Sequence, residues 1–243
     1  MHEEYRRTVS GADKAVLFIH GILGTPDHFG DFIPLVPQDV SVHSILLDGH
    51  GKGVRDFSKT SMRKWEAQVS LAIEALERDH SEIYIAAHSL GCLLAIERAL
   101  SDPKIRKLFL LAVPLKLSLK PKLFVNSLKV YFFKGAPEDE ELAAARKCYG
   151  ITDSKNILLY LGWIPRFLEL FSKIAQVRKT VGAVSVPCVA CQSAKDEMVS
   201  KKCADILRND PGIKVLELKN SGHYYYEKDD LSLIKEEFKK FLT

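Results

Sequence analysis

The sequence predicts an α/β fold with a mostly parallel sheet and helices on both faces. Short apolar runs typical of buried strands alternate with amphipathic helical patterns along most of the 243-residue chain. The loops that contain the informative polar residues all follow predicted strands, which places them at the carboxyl edge of one sheet. Apolar residues make up 47% of the chain, which suits one domain with a sizeable core.

Six strands are predicted from the apolar runs, and helical patterns lie between them. The strands are residues 15–19, 42–47, 83–87, 105–113, 186–192 and 213–218. A short helix and loop are expected over residues 26–35, and a longer helix from Ser61, which suits an N-cap position. Further helices are expected after the strand that ends at residue 87, over residues 200–209, and at the end of the chain.

The alternation of strands and helices stops after Pro114. Residues 115–182 are helical in pattern and rich in aromatic residues, and they contain no convincing strand. Because a strand lies at each end of this stretch, we interpret it as an insertion. The sequence therefore predicts a sheet domain formed by residues 1–114 and 186–243, with a helical insertion over residues 115–185.

The composition argues against several classes of protein. The net charge of +4 is too small to indicate nucleic-acid binding, and no arginine-rich block is present. No apolar run is long enough to form a transmembrane segment. Five cysteines without disulfide-scaffold spacing indicate a reduced, cytoplasmic protein. Cys188 and Cys191 lie in a predicted strand, where positions three apart face opposite sides, so we expect buried thiols and neither a metal nor a cofactor.

The strand over residues 83–87 ends abruptly at His88, and a helical pattern starts directly after Ser89. A sharp turn of this kind presents a serine hydroxyl at its tip, and the positions two before and two after must be small. Here they are Ala87 and Gly91, which is the pattern of a nucleophile elbow with alanine in place of the commoner first glycine. We therefore predict that Ser89 is a nucleophile, and an ordinary strand–helix connection is the alternative.

A serine becomes a strong nucleophile only when a base takes its proton. His223 is the one histidine that follows Ser89, and it lies just past the last predicted strand, where the base is expected in this fold class. Asp196 lies past the preceding strand, where the carboxylate that orients the base is expected. Glu197 is its neighbouring competitor, and we interpret Glu197 as a solvated surface acid.

Two backbone N–H groups are expected to stabilise the oxyanion of a tetrahedral intermediate. One belongs to Leu90, directly after the predicted nucleophile, and the other most simply to Ile22, in the loop after the first predicted strand. Three histidines near these loops are expected to have structural roles: His20, His50 and His88.

Together these motifs resemble the α/β-hydrolase family, and within it the compact bacterial carboxylesterases and monoacylglycerol lipases. The resemblance rests on His20-Gly21-Ile22-Leu23-Gly24-Thr25, Asp48-Gly49-His50-Gly51, His88-Ser89-Leu90-Gly91, Asp196-Glu197-Met198 and Ser221-Gly222-His223. These motifs occur in the order of the family and cover the sheet domain. The resemblance implies a serine hydrolase that cleaves small carboxylic esters with an apolar acyl group through an acyl-enzyme intermediate.

The resemblance also implies that the insertion is a helical cap over the site. Four of its aromatic side chains are expected to line an acyl pocket, although a place in the core of the cap is the commoner role for any one of them. They are Phe124, Phe132, Trp163 and Phe167. Two alternatives stay open: a thioesterase or acyltransferase with the same acyl-enzyme, and a ligand-binding module with an idle triad.

Overall fold

A computed structural model of the chain describes residues 2–118 and 140–243. In chain order its strands are β1 (Tyr5–Arg7), β2 (Lys14–Ile19), β3 (Ser41–Ile45), β4 (Lys52–Gly53), β5 (Glu82–His88), β6 (Ile105–Leu111), β7 (Ile151–Thr152), β8 (Cys188–Ser193) and β9 (Ile213–Leu218). The α-helices of these residues are α1 (Val54–Lys59), α2 (Met62–Glu77), α3 (Leu90–Ala99), α4 (Glu140–Cys148), α5 (Ile164–Thr180), α6 (Lys202–Arg208) and α7 (Lys228–Leu242). Short 3-10 segments cover Pro26–Phe29, Ile33–Leu35, Ile157–Trp163 and Val181–Ala183. None of the helices in this described part is long and apolar enough to cross a membrane.

Seven of the strands form one sheet in the order β1-β3-β2-β5-β6-β8-β9. Neighbouring strands are parallel except β1 and β3, which are antiparallel. Ile19, at the carboxyl end of β2, lies opposite Ile45 in β3 and Ala87 in β5. The loops that follow these strands therefore share one edge of the sheet. All six predicted strands are present, with ends shifted by at most two residues, and the mostly parallel sheet is confirmed.

Alternate strand residues bury their side chains in two cores, one on each face of the sheet. Leu17 and Ile19 pack in the core formed with α2, α3, α5 and α6. Val16 and Phe18 pack on the opposite face with α7. The helices thus cover both faces, as predicted. The start of α2 is also confirmed, because Ser61 accepts a hydrogen bond from the backbone N–H of Lys64 at 3.3 Å.

The two cysteines of the C-x-x-C pattern both lie in β8, and each is buried as a free thiol. Cys188 belongs to the core on one face of the sheet and Cys191 to the core on the other. Burial raises the pKa of the Cys188 thiol to about 12. The interpretation of these residues as structural thiols is therefore confirmed. Within residues 2–118 and 140–243, no cluster of three or more His, Cys, Asp or Glu side chains is suited to hold a metal ion.

The structure differs from the prediction at its shortest elements. The sheet gains the three-residue edge strand β1, which the sequence pattern did not indicate. The expectation that residues 115–182 contain no strand is wrong, because β7 pairs in parallel with β4. A strand of two residues has no periodicity to detect, and α1, with six residues, is too short to form a distinct apolar stripe.

A buried cation fixes helix α5, which lies in the predicted insertion, to two helices of the predicted sheet domain. Lys173 of α5 pairs with Glu66 of α2 at 2.5 Å and with Glu97 of α3 at 2.8 Å. Only 5% of the Lys173 surface is exposed, so loss of either carboxylate would leave a poorly compensated charge. These contacts hold α5 against α2 and α3. The domain boundaries at residues 115 and 185 stay a prediction.

Candidate active site

Ser89 lies in the turn between β5 and α3, at the carboxyl edge of the sheet. Its φ of 49° and ψ of −117° lie in a region that residues with a side chain rarely adopt, so the turn holds Ser89 under strain. A Cβ atom on Gly91 would lie 2.1 Å from the carbonyl oxygen of Ile19 in β2. This close approach explains why a glycine is needed two residues after the serine.

His223 lies in the loop after β9, and its side chain is buried beside Asp196. The Nδ1–H of His223 donates a hydrogen bond to Asp196 Oδ2 at 2.8 Å. The other carboxylate oxygen of Asp196 accepts hydrogen bonds from the backbone N–H groups of Met198 at 2.8 Å and Val199 at 2.7 Å. These bonds fix the carboxylate, which in turn fixes the ring and places the acceptor lone pair on Nε2.

The Nε2 atom of His223 is buried and has no hydrogen-bond partner among the described residues. A buried polar atom of this kind is usually paired, so an unpaired Nε2 is notable. His88 Nε2 donates a hydrogen bond to the His223 carbonyl oxygen at 3.0 Å, and Ser89 directly follows His88. The free ring nitrogen therefore lies in the same part of the molecule as the strained serine.

Two opposing sets of effects act on the pKa of His223, and the net result is a pKa above its ordinary value of 6.5. Burial, the largest single effect, lowers the pKa of His223. The charge of Asp196, its hydrogen bond to Nδ1 and the charge of Glu197 raise this pKa, and together they outweigh burial. The two carboxylates thus make the protonated form of His223 more stable than it would be in a site where burial acted alone.

Glu197 does not behave as the solvated surface acid expected from the sequence. Its Oε2 accepts a hydrogen bond from the backbone N–H of His223 at 3.1 Å, and the residue is half-buried. The expectation that Glu197 is a free surface acid is therefore wrong. The sequence gives no sign of this bond, because it joins a side chain to a main-chain group in a different loop.

The two predicted oxyanion donors, Ile22 and Leu90, have backbone N–H groups without an acceptor among the described residues. Their neighbours are paired: the N–H of Leu23 donates to His50 Nε2 at 3.1 Å, and the N–H of Gly24 donates to the Gly21 carbonyl at 3.0 Å. The N–H of Leu90 lies in the first turn of α3, where such groups are available to an anion. A Cβ atom on Gly21 would lie 2.9 Å from the Ser89 Cβ atom, so the Ile22 loop passes close to the serine.

His20 and His50 brace the loops around Ile22 as neutral side chains. His20 donates from Nδ1 to the Gly21 carbonyl at 2.8 Å and accepts the N–H of Leu47 on Nε2 at 3.0 Å. His50 donates from Nδ1 to the Leu47 carbonyl at 3.1 Å and accepts the N–H of Leu23. Burial is the main cause that lowers the pKa of His50 to about 4 and that of His20 well below 6.5. Both act as structural residues, as expected.

His88 packs beside the elbow, also as expected. Its ring stacks on His28 with 3.8 Å between ring centroids. Burial lowers the pKa of His88 well below 6.5, and burial lowers the pKa of His28 to about 3. Both rings are therefore neutral at ordinary pH, and His88 acts as a donor to the main chain of His223.

Gly150, in the predicted insertion, makes backbone contacts with the loops after β2 and β3. The N–H of Gly150 donates to the Leu23 carbonyl at 2.8 Å, and the Gly150 carbonyl accepts the N–H of Gly51 at 2.7 Å. A Cβ atom on Gly150 would lie 2.3 Å from Thr25 Cγ2. Leu23 has a φ of 58°, so this contact and the bond to His50 hold both of its peptide groups in an unfavourable conformation. No sequence motif marks this contact.

The four aromatic residues predicted to line an acyl pocket fall into two groups. Phe124 and Phe132 lie outside the described residues. Trp163 is buried, donates from Nε1 to the Val54 carbonyl at 3.1 Å, and packs with its ring centroid 4.9 Å from that of Phe57. Phe167 packs beside Trp163 at a centroid separation of 6.5 Å. The described contacts of Trp163 are those of a core residue, and a role in substrate binding stays a prediction.

Comparison with known proteins gives a family match over most of the chain. The sequence model described as the "Alpha/beta hydrolase family" matches residues 16–231, a range that includes Ser89, Asp196 and His223. A carboxylesterase of Bacillus subtilis strain 168 is 23% identical over 245 residues, which cover 97% of this chain and 94% of that protein.

Solved structures agree with the family match at the level of the fold. One structure of the metagenome-derived lipolytic enzymes LipS and LipT has a TM-score of 0.75 and 20% identity, and the match covers 99% of this chain and 97% of that chain. A monoacylglycerol lipase of Paleococcus ferrophilus has a TM-score of 0.67 and 17% identity, with 99% and 98% covered. At these identities the likeness establishes the fold, and the predicted fold class is confirmed.

Proposed function

The chain belongs to the alpha/beta hydrolase family, and we propose that it is a serine hydrolase that cleaves carboxylic esters with an apolar acyl group. The observation that carries this proposal is the buried, unpaired Nε2 of His223, held by Asp196 in the part of the molecule where Ser89 occupies a strained turn. A neutral imidazole nitrogen with a free lone pair is the group that a serine hydroxyl needs as its base.

In the proposed reaction, the Ser89 hydroxyl attacks the ester carbonyl carbon while its proton passes to His223 Nε2. The carbonyl oxygen becomes an oxyanion, which accepts hydrogen bonds from the N–H groups of Ile22 and Leu90. Collapse of the intermediate breaks the bond to the alcohol, which leaves with the proton from His223. The acyl group then stays on Ser89, and water, activated by the same imidazole, releases the carboxylic acid.

The choice of esters is supported by the relatives, among which are a carboxylesterase and a monoacylglycerol lipase. We propose that residues 115–185 form a cap over the site and that residues 1–114 and 186–243 form the catalytic domain. Phe124, Phe132, Trp163 and Phe167 are proposed to contribute apolar surface to the acyl pocket or to the core of the cap. The five free, buried cysteines support a reduced cytoplasmic setting.

A substrate panel tests this function. Carboxylic esters and thioesters of graded acyl length are compared with the parent protein and with Ser89→Ala. We expect ester hydrolysis by the parent and a loss in turnover of about 10⁶-fold in Ser89→Ala. Thioester turnover well above ester turnover would favour a thioesterase, and transfer of the acyl group to an added alcohol would favour an acyltransferase. Ser89→Ala activity within about tenfold of the parent would remove Ser89 from the mechanism.

A further inference from the structure

A second carboxylate, besides that of Asp196, reaches His223 from the loop after β8. Glu197 accepts the main-chain N–H of His223 on Oε2 at 3.1 Å, while Asp196 accepts the side-chain N–H at 2.8 Å. Gly222 makes room for this contact, because a Cβ atom there would lie 3.1 Å from Glu197 Oε2. The N–H of Gly222 donates to the Tyr225 carbonyl at 2.9 Å, so the two carboxylates face a tight turn that presents His223.

The main chain of His223 is held at both of its polar groups. Glu197 accepts the N–H, and His88, at the end of β5, donates to the carbonyl oxygen at 3.0 Å. The position of Nε2 depends on the main chain as well as on the ring, because Asp196 controls only the rotation of the side chain. A shift of about 1 Å in a catalytic group can cost on the order of a hundredfold in rate.

Few other charged groups lie near His223 in the described part of the chain. The other titratable groups that face His223 are His88 of β5, His28 of the Pro26–Phe29 segment and Tyr224, the next residue along the chain. Burial lowers the pKa of both histidines and raises the pKa of Tyr224, so all three are neutral. Among the described residues, the charged groups in contact with His223 are therefore Asp196 and Glu197.

We propose that Glu197 is a positioning residue for His223, which fixes the main chain of the base and stabilises the imidazolium that forms during the reaction. This inference rests on the proposed role of His223 as the base. A carboxylate is a stronger hydrogen-bond acceptor than a neutral group, and its charge acts on the ring as well as on the N–H. Asp196 and Glu197 thus have separate tasks, one on the ring and one on the main chain.

The test compares Glu197→Gln, which keeps an acceptor oxygen and removes the charge, with Glu197→Ala, which removes both. Glu236→Gln, an exposed carboxylate on α7, is the matched control. In Glu197→Gln we expect the acidic limb of kcat/KM for a neutral ester to shift down by roughly half a pH unit or more, with the plateau retained. In Glu197→Ala we expect the same shift and a plateau kcat lower by about tenfold, with KM unchanged.

An NMR titration of the His223 ring in the same variants gives a readout that does not need turnover. We expect the midpoint to fall in both Glu197 variants and to stay in place in Glu236→Gln. The inference is overturned if the midpoint of Glu197→Gln equals that of the parent, or if Glu197→Ala retains the parent plateau. If the parent neither hydrolyses esters nor reacts with a fluorophosphonate, the proposed function fails, whereas the titration still decides whether Glu197 acts on His223.

Discussion

The two sides of the site are built from different kinds of side chains. On the proposed oxyanion side, the loops after β2 and β3 are braced by His20 and His50, both buried and neutral. On the side of the proposed base, the loops after β8 and β9 are held together by Asp196 and Glu197. Both sides are tightly bonded, but the first brace is uncharged and the second is anionic.

This difference matches the charges that the proposed reaction creates. Negative charge develops on the carbonyl oxygen next to Ile22 and Leu90, and positive charge develops on His223. A carboxylate brace beside the oxyanion would oppose the first charge, whereas carboxylates beside the imidazole stabilise the second. A neutral histidine can donate with one nitrogen and accept with the other, so it joins two backbone groups without adding charge.

The largest effect is expected from the charged brace. Asp196→Asn should keep the packing but present the wrong hydrogen-bonding group to His223 Nδ1, and kcat should fall by about 10³–10⁴-fold. Steady-state kinetics with one neutral ester measure this change, and circular dichroism checks the fold. Turnover within about tenfold of the parent would mean that Asp196 does not orient the base.

An intermediate effect is expected from the neutral brace. His50→Phe keeps an aromatic ring against Phe57 and Trp65 but removes the acceptor for the N–H of Leu23. Because the neighbouring Ile22 donor then loses its fixed position, kcat should fall by roughly 10- to 100-fold with little change in KM. The control is His80→Phe. His80 is a buried histidine in the connection between α2 and β5, at the amino ends of the strands and away from the site. Equal kcat values in the two variants would show that the His50 brace is not coupled to catalysis.

A smaller effect is expected where the insertion meets the same loop. Gly150→Ala places a methyl group against Thr25, which should displace the N–H that holds the Leu23 carbonyl and lower kcat by about tenfold. Gly182→Ala is the matched control, because no atom lies within 4 Å of the added Cβ there. The comparison is made as kcat at saturating ester together with thermal unfolding. A lower unfolding temperature without a lower kcat would mean that the Gly150 contact has only a structural role.

The smallest effect concerns the pH profile of the parent protein. His223 must be neutral to accept a proton, and its raised pKa means that it becomes neutral at higher pH than an ordinary histidine side chain. Activity should therefore rise with pH, with a midpoint of kcat/KM above 6.5. The measurement uses an ester without ionisable groups. A midpoint below 6.5, with chemistry rate-limiting, would mean that the carboxylates do not outweigh burial.

The sequence was informative where a residue type coincides with a strand end. Ser89, Asp196 and His223 each follow an apolar run, so the fold rule of parallel sheets brings their loops to one edge. The roles of Glu197 and Gly150 were not predictable in this way. Both depend on a bond to the main chain of a distant loop, and such bonds leave no residue pattern.

The role of Trp163 could not be predicted from the sequence either. An aromatic residue in a helical segment suits a pocket or a core equally well until its contacts with Val54 and Phe57 are known.

Covalent labelling tests the central claim, that Ser89 is a nucleophile activated by His223, most directly. The parent protein and Ser89→Ala are treated with a fluorophosphonate, and adducts are located by intact and peptide mass spectrometry. We predict one adduct per chain on Ser89, no adduct in Ser89→Ala, and a labelling rate that rises with pH in step with the titration of His223. Equal labelling of both proteins, or an adduct on another residue of the parent, would contradict the account.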